Sequence, residues 1–401
     1  MYGFLKNLRF FDAFFLLFLI EKGLPYTQIG ILYAVREIVI NVFEIPSGII
    51  ADTYGRKNAL IGSFISYIIS FIVFYFSDNF WLFMLAFILY GIGDAFRTGT
   101  HKGMIMDYLR LNQWENHKIN YYGHTRSWSQ KGSAISSLIA GFIVFYSGSY
   151  HYIFIYSIFP YLLNLLLILS YPKELNHSST TIIPKSKIRI KSTFSSFFEI
   201  VKQPNVLKIM NTSAIHTAYL KAVKDYIQPL LVNIALIMPV LVNVDIEKKN
   251  GIIIGVIYFI IYLLTSRASR LASKVEAKSN RNISYTTLLL GLLFGILCGI
   301  FYNYDLWILA MIAFVGIYIV ENIRKPILTG FIADNVPNEI LTSVISAQSL
   351  LRTILTAIFA FTFGIIADSY GIGISFLILS GILILSTILI NLYKKPSVEK
   401  N

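Results

Sequence analysis

Long apolar segments recur along nearly all of this 401-residue chain, and no other feature narrows its possible folds as much. A helix crosses a bilayer core with roughly 20 apolar residues. Twelve segments approach or exceed that length, near 5–22, 27–50, 58–77, 80–108, 121–147, 151–171, 205–237, 251–271, 283–302, 305–328, 340–367 and 371–393. Open sheets leave backbone groups unsatisfied in lipid, so the segments are expected to be helices. Charged residues make up 14% of the chain, against about a quarter in soluble domains. The expected fold class is therefore an all-α membrane protein with twelve transmembrane helices. The first segment carries Asp12 and lacks a small-residue cleavage site, so no cleavable signal is expected. Cys298 is the single cysteine and supports no intrachain disulfide framework.

The net charge of +13 raises the question of a nucleic-acid partner. The positions of the charges point to topology instead. With the N-terminus inside and the segments alternating, the inner connections hold Lys6, Arg9, Arg56, Lys57, Arg110, Lys118, a basic group within 173–208, Arg267, Arg270, Lys274, Lys278, Arg281, Lys394, Lys395 and Lys400. The outer connections hold Lys22, Lys248 and Lys249. By the positive-inside rule both termini are expected in the cytoplasm of a multi-pass protein in the cell membrane. Its surroundings are then lipid, and no nucleic-acid partner is expected.

Pro172 to Gln203 is the longest polar interruption and contains Lys173, Lys185, Lys187, Arg189 and Lys191. It reads as a cytoplasmic linker whose basic face suits anionic headgroups. The expected domains are an N-terminal six-helix bundle at 1–171, a basic linker at 172–204 and a C-terminal six-helix bundle at 205–401. The halves repeat. Asp78, Asp94, Arg97 and Asp107 are matched by Asp305, Glu321, Arg324 and Asp334, each 227 residues on, and Trp81 by Trp307 at 226. Gly30 and Gly251 match at 221, which needs a few inserted residues between these regions.

Between the second and third segments stands Gly48-Ile49-Ile50-Ala51-Asp52-Thr53-Tyr54-Gly55-Arg56-Lys57. Glycines there let two helices approach closely, and Asp and Arg set opposite charges at the membrane edge. This G-x-x-x-D-x-x-G-R-K stretch resembles the loop signature of the major facilitator superfamily, a group of secondary transporters, and lies where that family carries it. The duplicated halves and long central loop extend the resemblance over nearly the whole chain. The second copy of the loop is degenerate, with Ser269, Ser273 and Ala277 where Gly48, Asp52 and Arg56 would align. The resemblance implies a solute site between the halves near the midplane, with helices 1, 4, 7 and 10 lining it. It also implies a gate in which Asp52 caps a helix of the other half and Arg56, beside Gly55 and Lys57, pairs with Asp107.

Ionisable groups within spanning helices are costly and usually face protein or water. The candidates for a substrate cavity are Asp12 on helix 1, Asp94, Arg97 and His101 on helix 4, Lys221, Lys224 and Asp225 on helix 7, Glu321 and Arg324 on helix 10, and Arg352 on helix 11. Asp94 and Arg97 share a helix face, as a charged lining or as a self-neutralising pair. Asp12 lines the cavity or offsets Arg9. Lys102 fits a snorkelling role at the inner interface. Pro229 frees the carbonyl four residues back, at Asp225, and so predicts a kink or hinge in helix 7. Helix 2 carries Glu37, Asn41 and Glu44 on one stripe. Glu37, Glu44 and His101 are the candidates for coupling to an ion, with H+ expected, and inter-helix hydrogen bonding is the plainer role for the first two. Small residues in helix 5, Gly132 to Gly141, suit close packing.

The chain has no G-x-x-x-x-G-K-[ST] loop for ATP, no dinucleotide fingerprint after a strand and no H-E-x-x-H. His101, His117, His124 and His151 are scattered, so no metal site is expected, and no cofactor or enzymatic activity is indicated. The leading expectation is a monomeric secondary transporter working by alternating access. Basic groups slightly outnumber acidic ones on the candidate lining, which favours a small anionic or zwitterionic solute. The alternative is multidrug or lipophilic-cation efflux by proton antiport. Against it, helix 5 lacks the Gly-Pro element that proton antiporters of the superfamily often show. A non-transporting receptor and an intramembrane enzyme are the readings from other classes.

Overall fold

A computed structural model describes residues 1–114, 118–176, 204–277, 283–335 and 338–392. The expected linker therefore lies mostly outside the described residues, as does His117. So do the side chains of Asp52, Lys102, Asp107, Ser269, Ser273, Ala277 and Asp334. The first span consists of α1 (Tyr2–Lys6), a 3-10 turn (Phe10–Ala13) and α2 (Phe15–Glu21). Next come α3 (Tyr26–Tyr54), α4 (Arg56–Phe76), α5 (Phe80–Leu111), α6 (Lys118–Ser147) and α7 (Tyr152–Leu169). The seventh span is α8 (Pro204–Val223), a 3-10 turn (Lys224–Tyr226) and α9 (Ile227–Ile237). The chain continues as α10 (Ile246–Ala277), α11 (Ile283–Asn303), α12 (Trp307–Asn335), α13 (Asn338–Tyr370) and α14 (Ile372–Leu392). Among the described residues, eight of these helices are long and apolar enough to cross a bilayer: α4, α5, α7 and α10 to α14. With α3, α6 and the two interrupted spans, they account for the twelve segments of the sequence.

The chain divides into two units, Met1–Ser186 with Asp225–Leu263 and Lys187–Lys224 with Leu264–Asn401. Within the first, α4 packs on α5 and α7, and α1 packs on α6. Within the second, α11 packs on α12 and α14, and α8 packs on α13. These are the same three pairings six spans apart, so the repeat seen in single residues is also a repeat of helix neighbours. The first unit's core is aromatic. Phe15, Phe74, Phe87 and Phe154 are all buried and meet at ring separations of 4.9–5.8 Å, a range in which offset and edge-to-face pairs are favourable.

The first span is not the continuous helix expected over 5–22. Asn7 donates from Nδ2 to the Gly3 carbonyl at 2.6 Å, an i to i−4 bond from a side chain, and such bonds compete with the helical ladder. The groups freed by the break find partners, as buried backbone must. Tyr161 Oη donates to the Lys6 carbonyl at 3.1 Å, and Phe10 N–H donates to Ser157 Oγ at 3.2 Å. The second break, at 224–226, falls where Pro229 predicts an opening of helix 7.

The turn between α3 and α4 depends on Gly55, whose φ of 96° and ψ of 142° suit only glycine. A Cβ there would also strike the Asn176 side chain. Asn176 Oδ1 accepts the Lys57 and Asn58 N–H groups at 3.1 and 3.4 Å, capping α4 from a distance. Gly55→Ala is expected to destabilise the protein by about 2 kcal/mol, read as an earlier unfolding midpoint in detergent. An unchanged midpoint would show that the turn relaxes freely.

Candidate functional site

The break in the first span places a charged pair where an unbroken helix would present only its side. Arg9 Nη2 lies 3.1 Å from Asp12 Oδ2, and Arg9 Nη1 donates to Tyr90 Oη on α5 at 2.9 Å. Beside this pair lies a tight polar crevice, too small in this structure to hold a water molecule, lined by Asn7, Arg9, Asp12, Ser133, Ser136 and Tyr262. Two buried polar atoms in these walls, Arg9 Nε and Ser136 Oγ, have no hydrogen-bond partner among the described residues. Both can donate.

Above the ion pair, Gln228 of α9 closes the interruption. Its Oε1 accepts the N–H groups of Leu16 and Leu17 at 2.9 and 3.2 Å, and its Nε2 donates to the Asp12 carbonyl at 3.2 Å. Gln228 is fully buried. Close by, α10 meets α6 through Gly141 and Gly251, where a Cβ on either would run into the other's carbonyl oxygen. Asn250 Nδ2 donates to Tyr150 Oη at 3.2 Å, and burial pushes the Tyr150 phenol up to about 12. That group therefore stays neutral across the physiological range.

Asp94 and Arg97 form an ion pair at 3.0 Å on α5. The Tyr67 hydroxyl of α4 donates to the same carboxylate oxygen, and Arg97 Nε donates to Tyr67 Oη at 3.0 Å. On α3, Arg36 lies 3.3 Å from Glu37, with Glu37 1% exposed. Asp225, also buried, acts electrostatically on Arg36 and Tyr33. The expected acidic stripe on this helix divides: Glu37 faces into the bundle, whereas Glu44 is exposed. Lys221 and Lys224 are half-buried, and the Lys224 carbonyl accepts from Tyr318 Oη at 3.4 Å.

In the second unit the repeated acid-x-x-Arg arrangement is wired differently. Glu321 binds His216 Nδ1 at 2.8 Å and accepts from Thr217 Oγ1 at 2.7 Å. Arg324, 1% exposed, donates instead to the Ser284 carbonyl, Thr287 Oγ1 and the Thr212 carbonyl at 2.6, 2.7 and 2.7 Å. His216 was missed among the histidines weighed from sequence. Its signal was present: Thr212, Ser213, His216 and Thr217 make a polar stripe at helical spacing on an apolar segment. Arg352 donates to Ser349 Oγ at 3.1 Å.

His101 stacks on Tyr2 with centroids 3.8 Å apart. The pair borders a cavity of about 420 Å³ whose other walls include Met104, Tyr108, Tyr121 and Trp128. In the loop motif, Lys57 Nζ donates to the Leu169 and Tyr171 carbonyls at 2.8 and 2.7 Å, tying α4 to the end of α7. The Arg56 guanidinium lies against Gly103, one turn before Asp107. Gly48 is exposed. Thus the structure gathers Asp12, Asp94, Arg97, Glu37 and Asp225 into the first unit, and Glu321, Arg324 and Arg352 into the second.

Comparison with known proteins agrees with this architecture. A curated relative, the uncharacterized MFS-type transporter YxaM of Bacillus subtilis (strain 168), is 37% identical over 90 residues, which is 22% of this chain and 23% of that protein. Among solved structures, a mutant of the nucleoside transporter NupG superposes with a TM-score of 0.76 at 13% identity, over 97% of this chain and 98% of that one. A POT family transporter in complex with 5-aminolevulinic acid gives 0.70 at 13% identity, over 100% and 94%. The inward-open xylose transporter XylE from E. coli gives 0.68 at 14%, over 100% and 96%. These identities speak for the fold alone. The family model described as Major Facilitator Superfamily matches residues 7–360. Twelve membrane helices in two six-helix pseudo-repeats, a loop signature in its proper place and a family match over most of the length leave no room for an enzyme fold: the chain belongs to the Major Facilitator Superfamily and is a multi-pass membrane transporter.

Proposed function

We propose that this transporter carries a small anionic or zwitterionic solute by alternating access, coupled to a proton gradient. One observation carries the solute class. Arg9 Nε and Ser136 Oγ are buried donors that line the same crevice and have no partner among the described residues, and leaving them so is costly unless the crevice opens and an acceptor arrives. A carboxylate or similar oxyanion supplies that acceptor, and Asp12 beside Arg9 suits an ammonium group on the same molecule. That the POT family neighbour was solved with 5-aminolevulinic acid is consistent with a zwitterion. The cell membrane as location, cytoplasmic termini, a monomeric state and rocking six-helix bundles at 1–171 and 205–401 complete this reading. The positive-inside charge pattern supports the location and the termini, and the repeated helix pairings support the two bundles.

Proteoliposomes with an imposed pH gradient test it, using labelled organic anions, zwitterions including 5-aminolevulinate, nucleosides, pentoses and lipophilic cations. Accumulation of an anion or zwitterion, abolished by a protonophore, is the expected result. Arg9→Gln is expected to lower that uptake by about 10-fold or more, the size of a lost charge-assisted hydrogen bond. Accumulation of cations alone would favour the second reading, efflux of lipophilic cations, which the aromatic walls around Tyr2 and His101 suit.

The loop motif belongs to the same cycle. Arg56 over Gly103 is placed to reach the turn that carries Asp107, and we assign Gly48, Asp52, Gly55, Arg56, Lys57 and Asp107 to a gate. Arg56→Ala and Asp52→Asn are expected to leave the protein in the membrane and slow flux several-fold. Unchanged flux would remove the gate.

A further inference from the structure

Two acid-x-x-Arg sites related by the repeat differ in what neutralises the acid, and this difference separates a fixed charge from an exchangeable one. In the first unit, Asp94 holds Arg97 directly and also takes the Tyr67 hydroxyl. Protonating Asp94 would strip a partly buried guanidinium of its counter-charge, a costly outcome. In the second unit no hydrogen bond joins the guanidinium to its acid, although Glu321 still acts on Arg324 electrostatically. Arg324 spends three N–H groups on two backbone carbonyls and a hydroxyl, so its hydrogen bonds survive whatever the state of Glu321. The carboxylate of Glu321 is left with a histidine and a hydroxyl.

Both of those partners accommodate a change of proton. His216 Nε2 is buried without a partner among the described residues, against Gly291 of α11, where even a Cβ would overlap the imidazole ring. A proton on Nε2 would be an unsatisfied buried donor. The favoured tautomer is therefore neutral, with Nδ1–H donating to Glu321 Oε2. Thr217 Oγ1 is a rotor. It donates to Glu321 Oε1 when the acid is ionised, and accepts from an Oε1–H when the acid is neutral. Among the described residues, the charged and titratable groups that act most strongly on Glu321 are His216 from α8 and Arg324 from its own helix. From α11, Ser284 and Thr287 are engaged by Arg324. From α14, Ser380 is engaged by Tyr219. α13 packs against α8.

We propose that Glu321 is the group that takes up and releases the coupling proton, with His216 and Thr217 as its positioning residues. The step is a proton from water on one face to Oε1, with the Thr217 hydroxyl turning to accept, and the reverse on the other face. The proposal rests on the proton-coupled reading above and moves the coupling site from Glu37, Glu44 and His101 to the second unit.

Infrared difference spectroscopy of the reconstituted full-length protein tests it without any solute. Lowering the pH should raise a buried protonated-carboxyl C=O band in the wild type. Glu321→Gln should remove this band, and Glu37→Gln should keep it. Thr217→Val should keep the band but move it to higher wavenumber, because the acid proton loses its acceptor, a signature that a merely structural threonine would not give. A band that persists in Glu321→Gln, or an unmoved band in Thr217→Val if Glu321→Gln fails to fold, overturns the proposal. Solute flux in the wild type that ignores the pH gradient would instead overturn the coupled-transport reading on which it stands.

Discussion

Asp94→Ala is expected to cost about 3 kcal/mol of stability, the low end for breaking a buried ion pair from one side. The low end applies because the two side chains retain 19% and 18% exposure. The substitution removes the acceptor for the Tyr67 hydroxyl and leaves Arg97 charged between α4 and α5 with no carboxylate. Most of the loss comes from the stranded guanidinium rather than from the pair's own attraction. Asp94→Ala/Arg97→Gln should therefore recover at least half of it. Denaturant unfolding in detergent micelles, followed by tryptophan fluorescence, measures both. An Asp94→Ala protein as stable as the wild type would mean that Arg97 reaches water, and the charge would then be no part of the buried network.

Gln228→Leu is the second large effect. One carboxamide satisfies two backbone N–H groups and one carbonyl at the break in the first span, and leucine of similar size satisfies none. Each buried backbone group left unpaired costs about 1–3 kcal/mol, so a loss of about 4 kcal/mol is expected, partly offset by local rewinding of the helix. The contact also joins spans 1 and 7, and in the alternating-access cycle proposed above it would have to open. A weakened contact of this size would then shift the balance of the two proposed conformations by about 100-fold or more. Gln228→Glu should behave differently from Gln228→Leu: it retains an acceptor for Leu16 and Leu17 but loses the donor to Asp12. Equal stability of the leucine variant and the wild type would show that water replaces the amide at no cost.

Much of this architecture is legible in the sequence because lipid punishes every alternative. The apolar runs place the spans to within a few residues over most of the chain, and the 227-residue spacing finds the repeat that the helix pairings confirm. Pro229 marks the second break, since proline removes a donor whatever the context. The first break has no such mark. No glycine or proline lies between Asn7 and Phe14, and the interruption depends on Tyr161, Ser157 and Gln228, which arrive from distant parts of the chain. The wiring of the acid pairs was equally hidden. Asp94 and Glu321 look alike in sequence, and only the third dimension shows that Arg324 turns to carbonyls while His216 takes its place. Glu44 shares a helical stripe with Glu37 yet is exposed, while Ser47 and Ala51 farther along the same helix are buried.

Alternating access requires the polar cleft beside Arg9 and Asp12 to meet water from both sides, and one labelling measurement tests this most directly. Ser133→Cys in a Cys298→Ser background places one thiol on the cleft wall. In sealed vesicles, a membrane-impermeant maleimide applied to one face and then, in separate samples, to the other should label this cysteine from both. Labelling from one face only, or from neither in a protein that folds, contradicts a transporter that exposes this cleft alternately.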